Sequence, residues 1–165
     1  MLRTIVMKPP ADKARKAMAS NRRAFKDYLV LGRFEAGIAL HGTEVKSVRD
    51  GQVNLTGSYA RIHNGDAVLY INIPPYEFGN RFNHDANRPR RLLLHRKEIS
   101  RLQSHVEEKG CTLVPLSLYA KKGLIKVELG LCKGKRQSDK RETLRRKTAD
   151  REAERAIARR RDRSG

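Results

Sequence analysis

Short strand-like runs outnumber helical ones along this chain, and most alternate apolar with polar positions. Residues 28–34 are rich in β-formers and 36–40 continue the run after Glu35, with Gly37 predicting a bulge or sharp bend inside it. Residues 58–62 and 67–73 flank His63-Asn64-Gly65-Asp66. Asn-Gly between two apolar runs is a strong hairpin signal, because both turn positions tolerate positive φ. A second hairpin joins residues 112–119 to 124–131 through Ala120-Lys121-Lys122-Gly123, and Ile125, Val127 and Leu129 alternate there with Lys126 and Glu128. Two helices interrupt the strands. Residues 43–49 form a short one, with Thr43 as N-cap and Gly51 as stop. Residues 95–109 form the other, with Ile99, Leu102 and Val106 on one face and Gly110 at the end. The pattern predicts a mainly β fold with short helices: a small, partly open, OB-like antiparallel barrel with flanking helices.

Charge divides the chain more sharply than hydropathy does. The protein has 165 residues, enough for one modest domain, and a formal net charge of +19. Residues 1–20 carry +4 without apolar periodicity and read as a flexible basic arm. Residues 21–133 carry +8 and nearly all the large apolar side chains, so they form the barrel. Residues 134–165 carry +7 as a basic C-terminal tail in which Leu144 and Ile157 are the only large aliphatics. The tail is built from Arg, Lys, Glu and Ala, which favour helix, and Glu142 and Arg146 add one favourable pair. Its stripe of Ala149, Ala153, Ala156 and Ile157 is too thin to dock firmly. A helix without tertiary support is marginal in water, so the tail is expected to be disordered when free and helical along a polyanion. A purely solubilising tail remains the competing reading.

The charge makes nucleic acid the first candidate partner and an anionic membrane surface the second. No apolar run approaches the roughly 18 residues of a spanning helix, and the opening stretch is too short for a signal h-region. Cys111 and Cys132 lack metal or redox spacing and read as reduced core thiols of a cytosolic protein. With no Trp, five Tyr and four Phe, the surface is not built mainly from aromatic platforms. No histidine forms a metal-ligand spacing, no phosphate-binding glycine loop is present, and no cofactor is expected. Asn83-His84-Asp85, paired with His105, is the one candidate for nuclease-like acid–base work; a structural or RNA-contacting loop is the simpler reading. Arg88, Arg90 and Arg91 suit phosphate contacts or form a solvated rim. Glu35 and Glu44 are acidic residues on a basic surface; each either pairs with Lys46 or Arg49 or accepts from a base amino group. Composition alone would favour a ribosomal or ribosome-assembly protein with a basic extension.

Several segments together resemble one family. They are Asn21-Arg22-Arg23-Ala24 through Tyr28, residues 34–40, Gly42-Thr43-Glu44-Val45-Lys46-Ser47, residues 75–80 and Asn83-His84-Asp85. They continue with Arg90-Arg91-Leu92-Leu93-Leu94-His95 and Lys97-Glu98-Ile99, residues 114–119 and 126–130, Gly134-Lys135-Arg136 and Asp139-Lys140-Arg141. Each is weak alone; in this order they are similar to the SsrA-binding proteins (small protein B), over roughly residues 21–158. The resemblance implies a non-enzymatic, cytoplasmic, monomeric protein whose OB-like barrel binds the tRNA-like domain of tmRNA (SsrA RNA). It implies delivery of that RNA, with elongation factor Tu on the same charged molecule, to the stalled 70S ribosome for trans-translation, ribosome rescue and peptide tagging. It assigns Glu35 and the Leu92-Leu93 region to the RNA surface, and Asn21, Arg22 and Arg23 near that surface or the decoding centre. Gly134, Lys135, Arg136, Asp139, Lys140 and Arg141 would belong to a tail that lies in the empty mRNA channel beside the small-subunit decoding centre. Lys26, Glu44, Lys46, Arg90 and Arg91 complete the expected RNA-binding set from their own chemistry. The chain departs from the family pattern at Arg136, where a second Lys is usual, at Lys26, where some relatives carry His, and at Ala86, where Pro is common.

Overall fold

A computed structural model describes residues 17–79 and 82–162. The elements are β1 (Ala17–Ser20), α1 (Arg22–Asp27), β2 (Tyr28–Ile38), α2 (Gly42–Arg49), β3 (Asn54–His63), β4 (Asp66–Asn72), β5 (Arg90–Leu93), α3 (Arg96–Lys109), β6 (Thr112–Lys121), β7 (Leu124–Gly134) and α4 (Gln137–Asp162). Strand order runs β6-β3-β4-β5-β2-β7, and a further β6–β7 pairing closes it into a six-stranded antiparallel barrel. The barrel is therefore closed, where the hydrophobic pattern pointed to a partly open one. Closure works because β6 is shared along its length. On one edge Leu113 meets Ala60 of β3 while Ser117, Leu118 and Tyr119 meet β1; the other edge carries β7.

Two-residue periodicity fills the interior. Ala36, Leu69, Ile71, Leu92, Leu113, Leu118, Val127 and Leu129 point inward and are buried. Leu102 and Ile99 of α3 are buried as well, and Gly110 ends that helix in the left-handed conformation. A smaller cluster of Ala24, Val114, Leu116 and Cys132 forms a separate apolar patch, with Tyr28 and Val30 packed against it. Cys132 is fully buried, and burial pushes its thiol up to about 11, so neither metal binding nor exchange chemistry is favoured there.

Local details differ from the sequence expectations in physically informative ways. Residues 28–38 form one strand, and its bulge lies at Leu31, between the Val30–Cys132 and Gly32–Leu131 pairs. Gly37 instead permits close packing: a Cβ there would sit 3.1 Å from the Leu93 Cβ. A second bulge at Leu116 follows Pro115, a residue with no N–H to give the ladder. The first hairpin turns on Asn64-Gly65, both at positive φ, as expected; the second turns on Lys122-Gly123 alone, so Ala120 and Lys121 extend β6. His41, not Thr43, caps α2, its backbone N–H donating to the Glu44 carboxylate at 2.7 Å. The last four residues assigned to a flexible arm are strand β1, because beyond its Leu113–Ala60 pair with β3 the β6 edge is open at Ser117, Leu118 and Tyr119; the rest of that arm lies outside the described residues.

The chain divides into two compact units, Met1–Gly134 and Lys135–Gly165. Within the second, α4 is a 26-residue helix with Leu144 and Ile157 exposed. Asp139 starts it by accepting from the Arg136 N–H at 3.3 Å, a favourable place for an acidic side chain.

Candidate nucleic-acid interface

The best-organised carboxylate on the barrel surface is Glu35, which the alternation along β2 turns outward between buried Phe34 and Ala36. Tyr119 donates its hydroxyl to Glu35 Oε2 at 2.7 Å, and Lys121 Nζ donates to both oxygens, at 2.9 and 3.2 Å. Glu35 lies directly across from Glu128, a like-charge pair that would be unfavourable alone. Arg33 relieves it by pairing with Glu128 at 3.3 Å, as does the Ser117 hydroxyl at 3.2 Å. Beside Glu35 a groove of about 450 Å³ is lined by Arg91, Leu93, His95 and Lys126 among others. The groove thus combines a fixed acceptor with cations and an exposed apolar side chain, Leu93, which is 56% accessible. That combination suits a ribose or base edge flanked by phosphates.

β5 shows why the expected arginine cluster had to be split. Its burial alternates strictly: Arg90 and Leu92 face in, Arg91 and Leu93 face out. Leu92 is therefore core, and Arg90 is fully buried against Glu44, which is itself fully buried. Glu44 Oε1 accepts from Arg90 Nε at 3.0 Å and from Arg88 Nε at 2.9 Å. Arg90 also donates to the carbonyls of Ile71, Asp85 and Ala86. Burial by itself would raise the Glu44 carboxyl, but hydrogen bonds from Arg88, His41 and Arg90 outweigh it and hold the group below its ordinary value. Glu44 accordingly pairs with Arg88 and Arg90, not with Lys46 or Arg49, and has no oxygen left for a base. Arg91 keeps an outward role. Its pair with Asp66, at 2.8 Å, is exposed on both sides and is worth at most about 1 kcal/mol, so a phosphate readily replaces the carboxylate. Lys46 is also exposed, its Nζ 5.3 Å from the Tyr76 ring centre.

Asn21 is likewise a structural residue. Its side chain caps α1 by accepting from Ala24 N at 3.0 Å and donates to Leu55 O at 3.0 Å and Pro115 O at 3.1 Å. Its backbone N–H reaches Leu116 O at 2.8 Å, so Asn21 fills the carbonyls opened by the β6 bulge. What this clamp achieves is orientation: Arg22, Arg23 and Lys26 of α1 are exposed, with Arg23 paired to Asp27 at 3.2 Å.

His84, the one candidate for acid–base work, is held as the simpler structural reading has it. Its Nε2 lies 3.0 Å from the Ile73 carbonyl, which only accepts, so Nε2 carries the proton. Nδ1 then accepts from the Thr43 hydroxyl at 2.9 Å, and no ring nitrogen remains for chemistry. Asn83 clasps the preceding loop through Tyr76 N and O, at 3.2 and 2.7 Å. Phe78 and Phe82 on that loop are 81% and 84% exposed. Among the described residues no group of His, Cys, Asp and Glu is placed to hold a metal ion, and no helix is long and apolar enough to cross a membrane.

Residues 18–159 match the family model described as SmpB protein. The chain belongs to the SmpB family. The SsrA-binding protein of Carboxydothermus hydrogenoformans is 57% identical over 143 residues, covering 86% of this chain and 96% of that protein. That of Geobacillus kaustophilus is 52% identical, covering 86% and 92%. A solved structure described as "tmRNA-SmpB: a journey to the center of the bacterial ribosome" superposes with a TM-score of 0.62 at 51% identity, covering 77% of this chain and 94% of that one. The SmpB match takes in the whole barrel and most of α4, including the tail positions Gly134, Lys135, Arg136, Asp139, Lys140 and Arg141. Of these, Gly134 closes β7 opposite Tyr28, Arg136 and Arg141 are exposed, and the Lys140 side chain lies outside the described residues. Four residues around Glu35 were absent from the sequence-derived set: His95 and Lys126, which line the groove, and Tyr119 and Lys121, which hold the carboxylate. Lys126 was within reach, since the alternation along β7 already turned it outward. Tyr119 and Lys121 needed the register that places β7 between β6 and β2.

Proposed function

We infer that this chain binds the tRNA-like domain of tmRNA and brings it to stalled ribosomes for trans-translation. The observation that carries the inference is the SmpB match over residues 18–159, which spans the barrel and most of the basic tail. The groove around Glu35 supplies the chemistry: a carboxylate oriented by Tyr119 and Lys121, with Arg91 and Lys126 beside it. The ribosomal or ribosome-assembly alternative is not favoured by these relatives, and the occupied nitrogens of His84 remove the support for a ribonuclease. The protein thus acts as a non-enzymatic RNA-binding factor in the cytoplasm. It works as a monomer with no cofactor, on a charged tmRNA that also carries elongation factor Tu.

Competition between the tmRNA tRNA-like domain and elongator tRNA, across a salt series, tests this. We expect preference for the tmRNA domain to persist at physiological salt, while total affinity falls with a log–log slope of about −0.7 to −0.9 per phosphate contacted. Equal binding of both RNAs, collapsing together with salt, would leave a generic polycation and restore the ribosomal-protein reading. Within the groove, Glu35→Ala is expected to weaken binding of the tmRNA domain by about tenfold, the scale of one charge-assisted hydrogen bond. The variant should remain folded, because Glu35 is a surface residue. Unchanged affinity in filter binding would remove Glu35 from the interface.

A further inference from the structure

Two carboxylates beside the groove each hold a cation, and the two pairs are built differently. Arg91 and Asp66 meet at 2.8 Å with side chains 64% and 49% accessible, so water competes for both partners. Lys121 and Glu35 meet at 2.9 Å with side chains 34% and 25% accessible. Lys121 Nζ also reaches the second Glu35 oxygen at 3.2 Å, and that oxygen accepts from the Tyr119 hydroxyl at 2.7 Å. Tyr119 is only 4% accessible, so it acts on a bound RNA through Glu35 and not by broad contact of its own. These bonds cross a whole strand. Lys126 of β7 pairs with Tyr119 on one side and Gly37 on the other, and Glu128 pairs with Ser117 and Glu35. Arg33 is committed to Glu128, and Lys121 to Glu35.

We propose that Tyr119 and Lys121 are positioning residues that make Glu35 the specificity element of the groove, while Arg91 supplies salt-dependent affinity. A carboxylate fixed among cations has two effects on RNA. It accepts from a base amino group or a ribose hydroxyl, and it repels a phosphate laid in the same place. RNA that presents a donor there is therefore favoured over RNA that presents only backbone, a discrimination that uses repulsion as well as attraction. Both effects need the anion held in one place before RNA arrives, which the Tyr119 and Lys121 bonds achieve. Lys121 then differs in kind from Arg91. A cation releases counterions only where it neutralises a phosphate, and the charge of Lys121 is already matched by Glu35. Arg91 exchanges its exposed carboxylate for phosphate; Lys121 keeps its own. The inference rests on the tmRNA-binding reading above and names the part of that site which discriminates.

The test measures Tyr119→Phe, Lys121→Met and Arg91→Gln, each in the full-length protein, on the tmRNA tRNA-like domain and on elongator tRNA across a salt series. Tyr119→Phe keeps the buried ring and removes only the hydroxyl. We expect it to lose about fivefold on the tmRNA domain, the scale of one net hydrogen bond, and nothing on elongator tRNA. Lys121→Met should lose about tenfold on the tmRNA domain while keeping the parent's salt slope. Arg91→Gln should weaken both RNAs alike and flatten the slope by about 0.7–0.9, as loss of one phosphate contact does. In a Glu35→Ala background Tyr119→Phe should change affinity by less than about twofold, because residues that act through one group do not add. A merely structural tyrosine would weaken both RNAs and add in that background. That result would overturn the proposal, as would a Lys121→Met slope as flat as that of Arg91→Gln, which would make Lys121 a phosphate contact. If the parent prefers the tmRNA domain and both variants keep that preference in full, the proposal fails and the functional reading stands. A parent without the preference sinks both.

Discussion

A chain ending after Gly134 should bind the tRNA-like domain within about threefold of the full protein yet support no peptide tagging on stalled ribosomes. The cut leaves β7 whole, since Gly134 is its last paired residue and the compact barrel unit ends there. What is removed is a net charge of +7 on a helix with little to bury: Leu144 and Ile157 are exposed and the remaining face is Arg, Lys, Glu and Ala. Such a helix gains order from an external polyanion, and the ribosome's mRNA path is lined with phosphate. On the proposed reading, in which the barrel groove holds tmRNA and the tail acts on the ribosome, binding and tagging are expected to separate. Tagging by the truncated protein in a reconstituted translation system would show that the tail is a solubiliser. A large drop in affinity for the isolated RNA domain would instead place the tail on tmRNA itself.

Most of the barrel was legible because alternation of period two is a direct imprint of inside and outside. Both hairpins and the outward face of β7 followed from that imprint, and the helix ending at Gly110 followed from its 3.6-residue spacing and its glycine. The failures share one physical cause: polar residue type says nothing about which face a side chain occupies. Arg90, Glu44 and Asn21 all carry groups typical of an RNA contact, and all three are buried because they satisfy one another or backbone carbonyls. Applying the alternation of β5 to its polar residues would have separated Arg90 from Arg91, as it separates Leu92 from Leu93. Asn21 was beyond local reading. Its partners, Leu55 and Pro115, lie 34 and 94 residues away, one in the irregular stretch of β3 between Asn54 and Tyr59 and the other beside the β6 bulge. The β2–β7 and β3–β6 pairings that complete the barrel were also hidden at the level of topology, since the pairing order of strands distant in sequence is not written in any single run.

Glu44→Ala should be strongly destabilising, lowering unfolding free energy by about 3–5 kcal/mol and the melting midpoint by on the order of 10–20 °C. The reason is asymmetry. The triad as a whole contributes little, because desolvating three ions offsets their attraction; removing the one anion leaves fully buried Arg90 without a counter-charge. Arg88→Ala should cost much less, since Arg88 is partly exposed and water replaces what it loses. The same logic fixes the acid limb. With its folded carboxyl below the ordinary value, Glu44 contributes its full stabilisation above the unfolded pKa of about 4.3 and loses it as pH falls through the lower folded value. Glu44→Gln should flatten that limb of the stability–pH curve, and thermal melts of both variants between pH 3 and 7 measure it. The consequence for RNA is indirect but specific. Arg90 joins the loop carbonyls of Asp85 and Ala86 to the end of β4, and the next outward residues on β5, Arg91 and Leu93, line the Glu35 groove. Glu44→Ala should therefore lose tmRNA binding near its own melting temperature and recover most of it well below, whereas Glu35→Ala should lose binding equally at every temperature where the barrel is folded. Parallel temperature profiles for the two variants would show that Glu44 touches RNA after all.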